Sequence, residues 1–290
     1  MSSNVNRNML LLLKQFGFSD NTLDAIYNQE ESILEVIYDE NHIFHNKYFD
    51  IYTEKEKELA NNLNLLLEFE KKFIDKMNDY KKMGIKIFFK YSDDFPKHIF
   101  PVGKEPLFLY SYGNTELLEQ RYKKAAIIGT RKSTIMGETK TKEYVKEYVK
   151  KGWVTISGLA KGIDTVVHKE TLNYGGLTIA ILPTSFEKIY PAQNKGLFQK
   201  IIEKGGLALT TIGPFENTYK SSFLDRNIIV AKMSDEILII EASIKSGTLN
   251  TVRNGFYLGK PIYYNKELLS EEVIKYIAEY NAVEYQARGE

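Results

Sequence analysis

The sequence contains no cysteine, and no run of about 18 apolar residues occurs in it. The lack of cysteine excludes disulfides, thiolate zinc sites and cysteine nucleophiles, and it fits a reducing compartment. Near the start, the four leucines of Leu10–Leu13 are followed at once by Lys14 and Gln15, so this patch is too short for a membrane span or a signal peptide. We therefore expect a soluble cytoplasmic protein with no membrane partner.

Net charge is also nearly absent, because the formal total is +1. The total conceals an asymmetry, since residues 1–84 carry 10 Lys/Arg and 15 Asp/Glu, whereas residues 85–290 carry 29 and 23. This basic surplus permits a phosphate-bearing partner without indicating one. Arginine is scarce, with 6 against 33 lysines. Arg131 and Arg226, which stand inside conspicuous motifs, therefore suggest a need for the planar guanidinium fork.

The apolar pattern divides the chain into two parts. Residues 1–83 show helical periodicity over 5–16, 22–37 and 53–83, without a strand pattern between them. We predict a small all-helical accessory domain over 1–83; the alternative for its long amphipathic stretch is a dedicated binding helix.

From residue 84 onward, short apolar strands alternate with amphipathic helices. Two lead-in strands, IKIFFKY and LFLYSYG, fall within 84–123. The strands that follow are AAIIG, WVTIS, LTIAIL, LALTTI, EILIIEA and PIYYN, with helices between them near 138–151, 162–173, 194–204, 221–233 and 248–258 and a last one near 267–280. This alternation predicts an α/β fold, an extended Rossmann-like doubly wound and mostly parallel sheet over 84–290.

In such sheets ligands bind beyond the carboxyl ends of the strands, and the unusual residues lie there. The loop after AAIIG contributes Gly129, Thr130, Arg131, Lys132 and Ser133. Glycine lets a phosphate approach the backbone, hydroxyls and amides donate to it, and an arginine can chelate two of its oxygens. We predict a phosphate loop here; the alternative is an ordinary turn with a surface arginine.

The loop after WVTIS places two glycines around a helix start, with Ser157, Gly158, Lys161 and Gly162 as candidates. Its spacing is not GxGxxG, which disfavours a dinucleotide site, but its amides can receive an anion. Asp164 and His168 share a helix face, yet two ligands do not make a metal site. We expect neither a metal nor a cofactor.

Three further loops and helices complete the set of candidates. Arg226 lies in an apolar helical run, so it either pairs with Asp225 or Glu241 or presents its guanidinium to phosphate. Aromatic rings in the third loop are candidates for base stacking, although packing is the ordinary use of a ring. The candidates are Phe186, Lys188, Tyr190 and Asn194 in the third loop, Arg226 and Asn227 in the helix, and Ser246, Gly247 and Thr248 before the next helix.

Several of these segments resemble the DNA-processing protein A (DprA/Smf) family. The matching segments are GTRKSTIMG, SGLAKGIDTVVHKETLNYGGLTIAIL, IYPAQN, FLDRNIIVAKMS and IIEASIKSGTLNT, within about residues 124–262. The resemblance implies an extended Rossmann fold, a small (SAM-like) helical N-terminal domain and a homodimer. It further implies a non-enzymatic protein that binds and protects single-stranded DNA and helps to load the RecA recombinase in natural transformation or recombination.

Four segments depart from the family pattern. Pro183-Thr184-Ser185 stands where a glycine is usual, and Ile228 replaces an arginine. Thr210-Thr211 replaces Ser-Glu, and Ser-Gly-Thr-Leu-Asn-Thr replaces Ser-Gly-Ser-Leu-Ile-Thr. These differences indicate a divergent member of the family. We expect them to affect DNA affinity and especially recombinase loading.

Two other functions remain open at this point. One is a nucleotide-binding sensor or a nucleotide phosphoribohydrolase-like enzyme of the same superfamily, for which Glu241 and Ser246-Gly247-Thr248 are the nearest analogue of the reactive site. The other is an interaction protein that has kept the fold and lost the ligand. Convergence of Arg131 and Arg226 on one groove favours ligand binding, whereas structural ion pairs at both arginines favour the last alternative.

Overall fold

A computed structural model describes residues 2–27 and 52–286 of the chain. The described residues form two compact units. One unit is drawn from Met1–Phe95, Pro106–Leu109 and Gly213–Asn217, and the other from Pro96–Glu105, Tyr110–Ile212 and Thr218–Glu290. The domain boundary that we place between residues 83 and 84 stays a prediction. No helix in these described ranges combines the length and apolar character that a membrane crossing requires.

The N-terminal region is helical, as predicted. Its helices are α1 (Ser2–Phe16), α2 (Asp20–Tyr27), α3 (Glu54–Ala60) and α4 (Leu63–Met83). The amphipathic stretch over 53–83 is divided at two asparagines, because Asn61 ends α3 and the Asn62 side chain caps α4 by accepting from the Leu65 amide at 3.0 Å. Most of the predicted helix over 22–37 lies outside the described residues.

The predicted α/β fold is confirmed, and the sheet that the described residues form has nine strands. The strands are β1 (Lys86–Phe89), β2 (Phe108–Gly113), β3 (Lys124–Ile128), β4 (Val154–Ser157), β5 (Thr178–Leu182), β6 (Leu207–Thr210), β7 (Glu236–Ile239), β8 (Ile262–Tyr264) and β9 (Val283–Glu284). Their order is β1-β2-β6-β5-β4-β3-β7-β8-β9. From β6 to β9 all neighbours are parallel, and β2 is antiparallel to β6.

Helices connect the parallel strands. They are α5 (Ile135–Lys150), α6 (Ile163–Asn173), α7 (Lys195–Glu203), α8 (Lys220–Met233), α9 (Thr248–Tyr257) and α10 (Glu271–Ala278). The last helix begins later than predicted, because a short 3-10 turn at Lys266–Leu268 precedes it.

Helices cover both faces of the sheet, which makes the fold doubly wound. Ala125 and Ile127 of β3 point to one face and pack with Val145 of α5 and Val167 of α6 in one buried cluster. Side chains alternate between faces along a strand, so Ile237 of β7 points the other way from its neighbour Leu238, which belongs to that same cluster. On that second face Gly255 of α9 lies so close that an added Cβ would be 2.4 Å from the Ile237 side chain.

The order of the strands predicts where a ligand binds. The chain runs outward from β3 through β4 and β5 to β6, and then returns to place β7 on the other side of β3. In open parallel sheets such a reversal leaves a crevice at the carboxyl ends of the two strands that flank it. The loops after β3 and β7 therefore border the expected site.

Candidate functional site

A cavity of about 390 Å³ lies where β3 and β7 end. We call it the arginine cavity. The loops after β3, β4 and β7 and one face of α8 form its walls. Its polar and charged lining residues include Thr130, Arg131, Asp164, Arg226, Asn227, Ser243, Lys245, Ser246 and Thr248.

Arg131 and Arg226 both line this cavity. The Arg131 side chain is exposed, and its guanidinium carbon lies 5.5 Å from the centre of the Phe223 ring. Arg226 is buried, with 7% of its surface exposed. Its Nη1 donates to the Ile181 carbonyl at 3.1 Å, and its Nε donates to Asn227 Oδ1 at 2.9 Å. The two arginines thus converge, and the hydrogen bonds of Arg226 go to neutral oxygens rather than to Asp225 or Glu241.

The buried charge of Arg226 is balanced in part by Asp164. Burial lowers the pKa of Arg226, the negative charge of Asp164 opposes that effect, and the positive charge of Arg131 adds to it. Burial in turn raises the pKa of Asp164, although Arg226 and the loop amides favour its charged form. These amides belong to Gly158 and Ala160, which donate to Asp164 Oδ2 at 3.1 and 3.4 Å. Asp164 therefore shapes the loop after β4 and attracts Arg226.

Two glycines of the loop after β4 are needed because other groups occupy the space of a side chain. A Cβ at Gly158 would lie 1.5 Å from Arg226 Nη1. Gly162 has φ 72°, a conformation that other residues rarely adopt, and its Cβ would lie 2.4 Å from the Thr130 carbonyl. The Ile163 amide donates to the same carbonyl at 3.2 Å. The loops after β3 and β4 thus contact each other directly.

Carboxylates of the chain itself lie at the starts of the two helices that follow the first two predicted anion-binding loops. At the start of α5, Glu241 Oε2 accepts from the Thr134 amide at 3.0 Å and from its hydroxyl at 3.3 Å. At the start of α6, Asp164 fills the loop as described. At these two helix starts, local negative charge therefore satisfies amides that an external anion would otherwise contact.

Ser246, Gly247 and Thr248 lie at the start of α9 and line the arginine cavity. The Thr248 amide donates to Ser246 Oγ at 3.2 Å, and the Ser246 hydroxyl donates to Thr248 Oγ1 at 2.8 Å. Lys245 lines the same wall and was not among the predicted residues. This wall thus places the ammonium group of Lys245 and the hydroxyls of Ser246 and Thr248 in the same cavity as the two arginines.

In the loop after β5, the third of the predicted loops, two of the predicted residues stabilise the fold rather than line the arginine cavity. Phe186 is buried and packs with its ring centre 5.9 Å from that of Phe198, so the geometry leaves no open face for a base. Asn194 is also buried, and its Nδ2 donates to the Leu159 carbonyl at 2.9 Å and to Thr165 Oγ1 at 2.8 Å. Phe186 is thus a packing residue, and Asn194 stabilises the loop after β4.

Tyr190 and Lys188 are the exposed residues among the third-loop candidates. The Tyr190 ring is 49% exposed, and it meets Phe223 edge to face at 5.7 Å. Phe223 in turn faces Arg131. We did not select Phe223 from the sequence, although its spacing to Arg226, Asn227 and Val230 places all four on one helix face, and all four line the cavity.

The remaining predicted residues lie beside the cavity or beneath it. A second recess of about 450 Å³ adjoins it, and Arg131 lines both. Lys132, Ser133, Lys161 and Gly162 line that recess, together with Lys169. Ser157 is buried and donates to the Ile127 carbonyl at 2.9 Å, which ties β4 to β3. Gly129 lines the arginine cavity.

His168 is fully buried in α6 and does not act with Asp164. His168 Nδ1 lies 2.7 Å from Thr178 Oγ1, whereas Asp164 binds loop amides. Among the residues that the structure describes, no group of three or more metal-ligating side chains comes together. Burial, with a smaller contribution from Arg226, lowers the pKa of His168 to about 3.

The buried imidazole predicts a loss of stability in mild acid. Because the folded-state pKa is about 3 and an unfolded histidine has a pKa near 6.5, the neutral form stabilises the fold fully above pH 6.5. This contribution falls as pH drops from 6.5 towards 3, by about 2 kcal/mol between pH 7 and pH 5. Urea unfolding at both pH values measures the difference. We expect His168→Gln to lack this component, and an equal loss in wild type and variant would contradict the assignment.

Comparisons with known proteins agree on one family. The family described as DNA recombination-mediator protein A matches residues 86–278. Protein Smf of Borreliella burgdorferi is 32% identical over 185 residues, which cover 63% of this chain and 58% of that protein. DNA processing protein DprA of Streptococcus pneumoniae is 35% identical over 171 residues, which cover 59% of each chain. The match thus spans about three fifths of the length of these relatives.

Two solved structures extend the comparison to the fold. The X-ray structure of DprA from Streptococcus pneumoniae covers 96% of this chain and 94% of its own, with a TM-score of 0.64 and 25% identity. The structure of DNA processing protein A from Helicobacter pylori, from a study of its single-stranded DNA binding mode, covers 67% and 90%, with a TM-score of 0.59 and 32% identity. Since the family match extends over more than half of the sequence, the chain belongs to the DNA recombination-mediator protein A family.

Proposed function

We propose that this protein binds single-stranded DNA at the arginine cavity and across the adjoining recess, without catalysing a reaction. The observation that carries the proposal is the convergence of Arg131 and Arg226 on one cavity at the topological switch point. Arg226 supplies a buried, fixed guanidinium, and Arg131 supplies an exposed one that can reach a phosphate. A structural study of the Helicobacter pylori relative concerns single-stranded DNA binding, which supports the same ligand here.

The proposed path of the strand follows the cations. Phosphates contact Arg131 at the border of the two recesses, with Lys245 on one side and Lys132 and Lys161 on the other. Bases stack on the exposed Tyr190 ring and its partner Phe223. Stacking on aromatic rings is tolerant of sequence, so the binding is expected to depend on salt and only weakly on base identity.

Hydrolysis of a nucleotide is the less favoured activity. A phosphoribohydrolase-like reaction requires a glutamate that faces the substrate. Glu241 Oε2 instead accepts from the Thr134 amide and hydroxyl, and it fills the space above Gly137, where a Cβ would lie 2.2 Å away. Its local role is thus to hold Thr134, the residue that caps α5. A free-nucleotide sensor remains the competing function, because a cavity of about 390 Å³ is large enough for a small ligand.

Recombinase loading and dimer formation belong to the same proposal. The family resemblance implies that a cytoplasmic homodimer protects single-stranded DNA and helps RecA to assemble on it, in natural transformation or recombination. Stimulation of RecA filament growth on a protein-coated strand tests the loading step, and a lack of stimulation would limit the function to DNA binding.

The test of DNA binding compares Arg131→Ala with wild type. We expect a fluorescent oligothymidine of about 30 nucleotides to bind about tenfold more weakly to the variant, because one charge-assisted phosphate contact is lost. The slope of log affinity against log salt should fall by about 0.7 for each lost contact. Arg253→Ala removes an exposed arginine that lines neither recess and serves as the matched control. Equal loss in both variants would contradict the proposed site.

A further inference from the structure

A second concentration of positive charge lies at the opposite edge of the sheet from the arginine cavity. It surrounds a cavity of about 480 Å³ at the points where β3, β7 and β8 begin. These strands are parallel in the sheet, so their amino ends share one edge. We call this the lysine cavity. Its lining contains Lys123, Lys124, Lys232 and Lys260 and a single carboxylate, Asp235.

The single carboxylate is already engaged. Asp235 Oδ2 accepts from the backbone amide of Lys124 at 2.8 Å, and its Oδ1 forms an ion pair with Lys123 Nζ at 3.2 Å. Asp235 therefore neutralises one lysine and fixes the start of β3. One carboxylate thus faces four lysines, so the lining keeps a net positive charge.

Lys124 is a buried cation held by neutral groups. Its side chain is 5% exposed, and its Nζ donates to the carbonyls of Glu119 at 2.7 Å and of Tyr122 at 2.9 Å. Burial lowers the pKa of Lys124, and the negative charges of Asp235 and Glu119 oppose this effect. The carbonyl bonds orient the ammonium without cancelling its charge.

Lys232 and Lys260 are the other two lysines that line this cavity. Lys232 lies near the end of α8, and Lys260 lies just before β8. Burial lowers the pKa of Lys260, the positive charge of Lys232 lowers it further, and the negative charge of Asp235 opposes both effects. Two like charges thus line one concave surface, and their repulsion disfavours the charged forms.

We propose that the lysine cavity binds a small anion of the phosphate class that carries at least two negative charges, such as pyrophosphate or a phosphate monoester. Ammonium groups bind phosphate as compact point charges, and one divalent anion relieves the repulsion between Lys232 and Lys260. The cavity volume lies within the range of small-molecule sites. Because this edge of the sheet is opposite the arginine cavity, the site is independent of DNA binding.

The experiment titrates full-length protein with sodium pyrophosphate and measures binding by calorimetry, with sodium chloride at matched ionic strength as the reference. We expect saturable binding that is at least about tenfold weaker in the double variant Lys232→Gln/Lys260→Gln. The double variant Lys200→Gln/Lys204→Gln removes two exposed lysines of the α7 end and should bind within about twofold of wild type. Circular-dichroism melting confirms that each variant is folded.

Three outcomes would overturn the proposal. The first is that pyrophosphate binds no better than the ionic-strength reference, and the second is that Lys232→Gln/Lys260→Gln leaves binding unchanged. The third is that Arg131→Ala abolishes pyrophosphate binding, which would place the anion in the arginine cavity. A 5′-phosphorylated oligothymidine separates free anion from DNA, because its affinity should not change in Lys232→Gln/Lys260→Gln. A loss of that affinity would also overturn the proposal, since the anion would then be the DNA strand.

Discussion

Gly158→Ala should lower the affinity for oligothymidine about tenfold or more and destabilise the protein by about 1–3 kcal/mol. The reason is the 1.5 Å separation between the added Cβ and Arg226 Nη1. The guanidinium must leave its position, and it then loses its hydrogen bond to the Ile181 carbonyl and its proximity to Asp164. A displaced Arg226 no longer presents its charge to the cavity. Fluorescence anisotropy and urea unfolding measure the two effects.

The matched control for this change is Gly196→Ala. Gly196 lies in α7, and no atom of the described residues comes within 4 Å of the Cβ that the substitution adds. Alanine is favoured over glycine inside a helix by about 1 kcal/mol, so this variant should be slightly more stable than wild type and bind DNA normally. If Gly158→Ala behaved like Gly196→Ala, the position of Arg226 would not matter for binding.

Arg226→Met should cost about 3 kcal/mol, near the lower end of the range for removing one partner of a buried charge pair. The variant leaves Asp164 buried, at 7% exposure, without the positive charge that favours its ionised form. The pKa of Asp164 then rises further above its ordinary value. Since a carboxyl with a raised folded-state pKa destabilises the fold only where it must ionise, the deficit relative to wild type should shrink as pH falls.

The control for this prediction is the double variant Arg226→Met/Asp164→Asn. An asparagine can still accept from the amides of Gly158 and Ala160 without placing a charge in the interior. We expect it to recover part of the lost stability while DNA binding stays weak. Urea unfolding at pH 8 and pH 5 tests both variants, and a pH-independent deficit in Arg226→Met would contradict the coupling between Arg226 and Asp164.

The order of strands and helices could be predicted from the sequence because each element of the parallel sheet has its own periodicity. The strands AAIIG and EILIIEA, for example, end at the loops that border the arginine cavity. The sequence pattern did not predict β9, because a strand of two residues is too short to show a periodicity. The division of the stretch over 53–83 at Asn61 and Asn62 was also missed, because it depends on a cap rather than on apolar spacing.

The candidate site was less predictable because its chemistry depends on partners that are distant in sequence. Thr134 receives the Glu241 carboxylate from 107 residues away, so a helix start that looks open in the sequence is filled in the fold. Phe186 looks like a stacking residue in its loop, yet Tyr112 and Phe198 enclose it. Arg226 looks as though it needs Asp225 or Glu241 as its acidic partner, but its hydrogen bonds go to neutral oxygens and the carboxylate that balances its charge is Asp164. Sequence motifs identified the loops, and only tertiary contacts distinguished the groups that reach the cavity.

The most direct test of the central claim is the affinity of wild-type protein for three ligands at about 0.15 M salt. The ligands are an oligothymidine of about 30 nucleotides, a duplex of the same length, and thymidine monophosphate as a competitor. Single-strand DNA binding at the arginine cavity predicts tight oligothymidine binding, weaker duplex binding, and displacement only at high concentrations of the mononucleotide. Undetectable oligothymidine binding even at low salt, together with tight mononucleotide binding, would contradict this account and favour a nucleotide sensor.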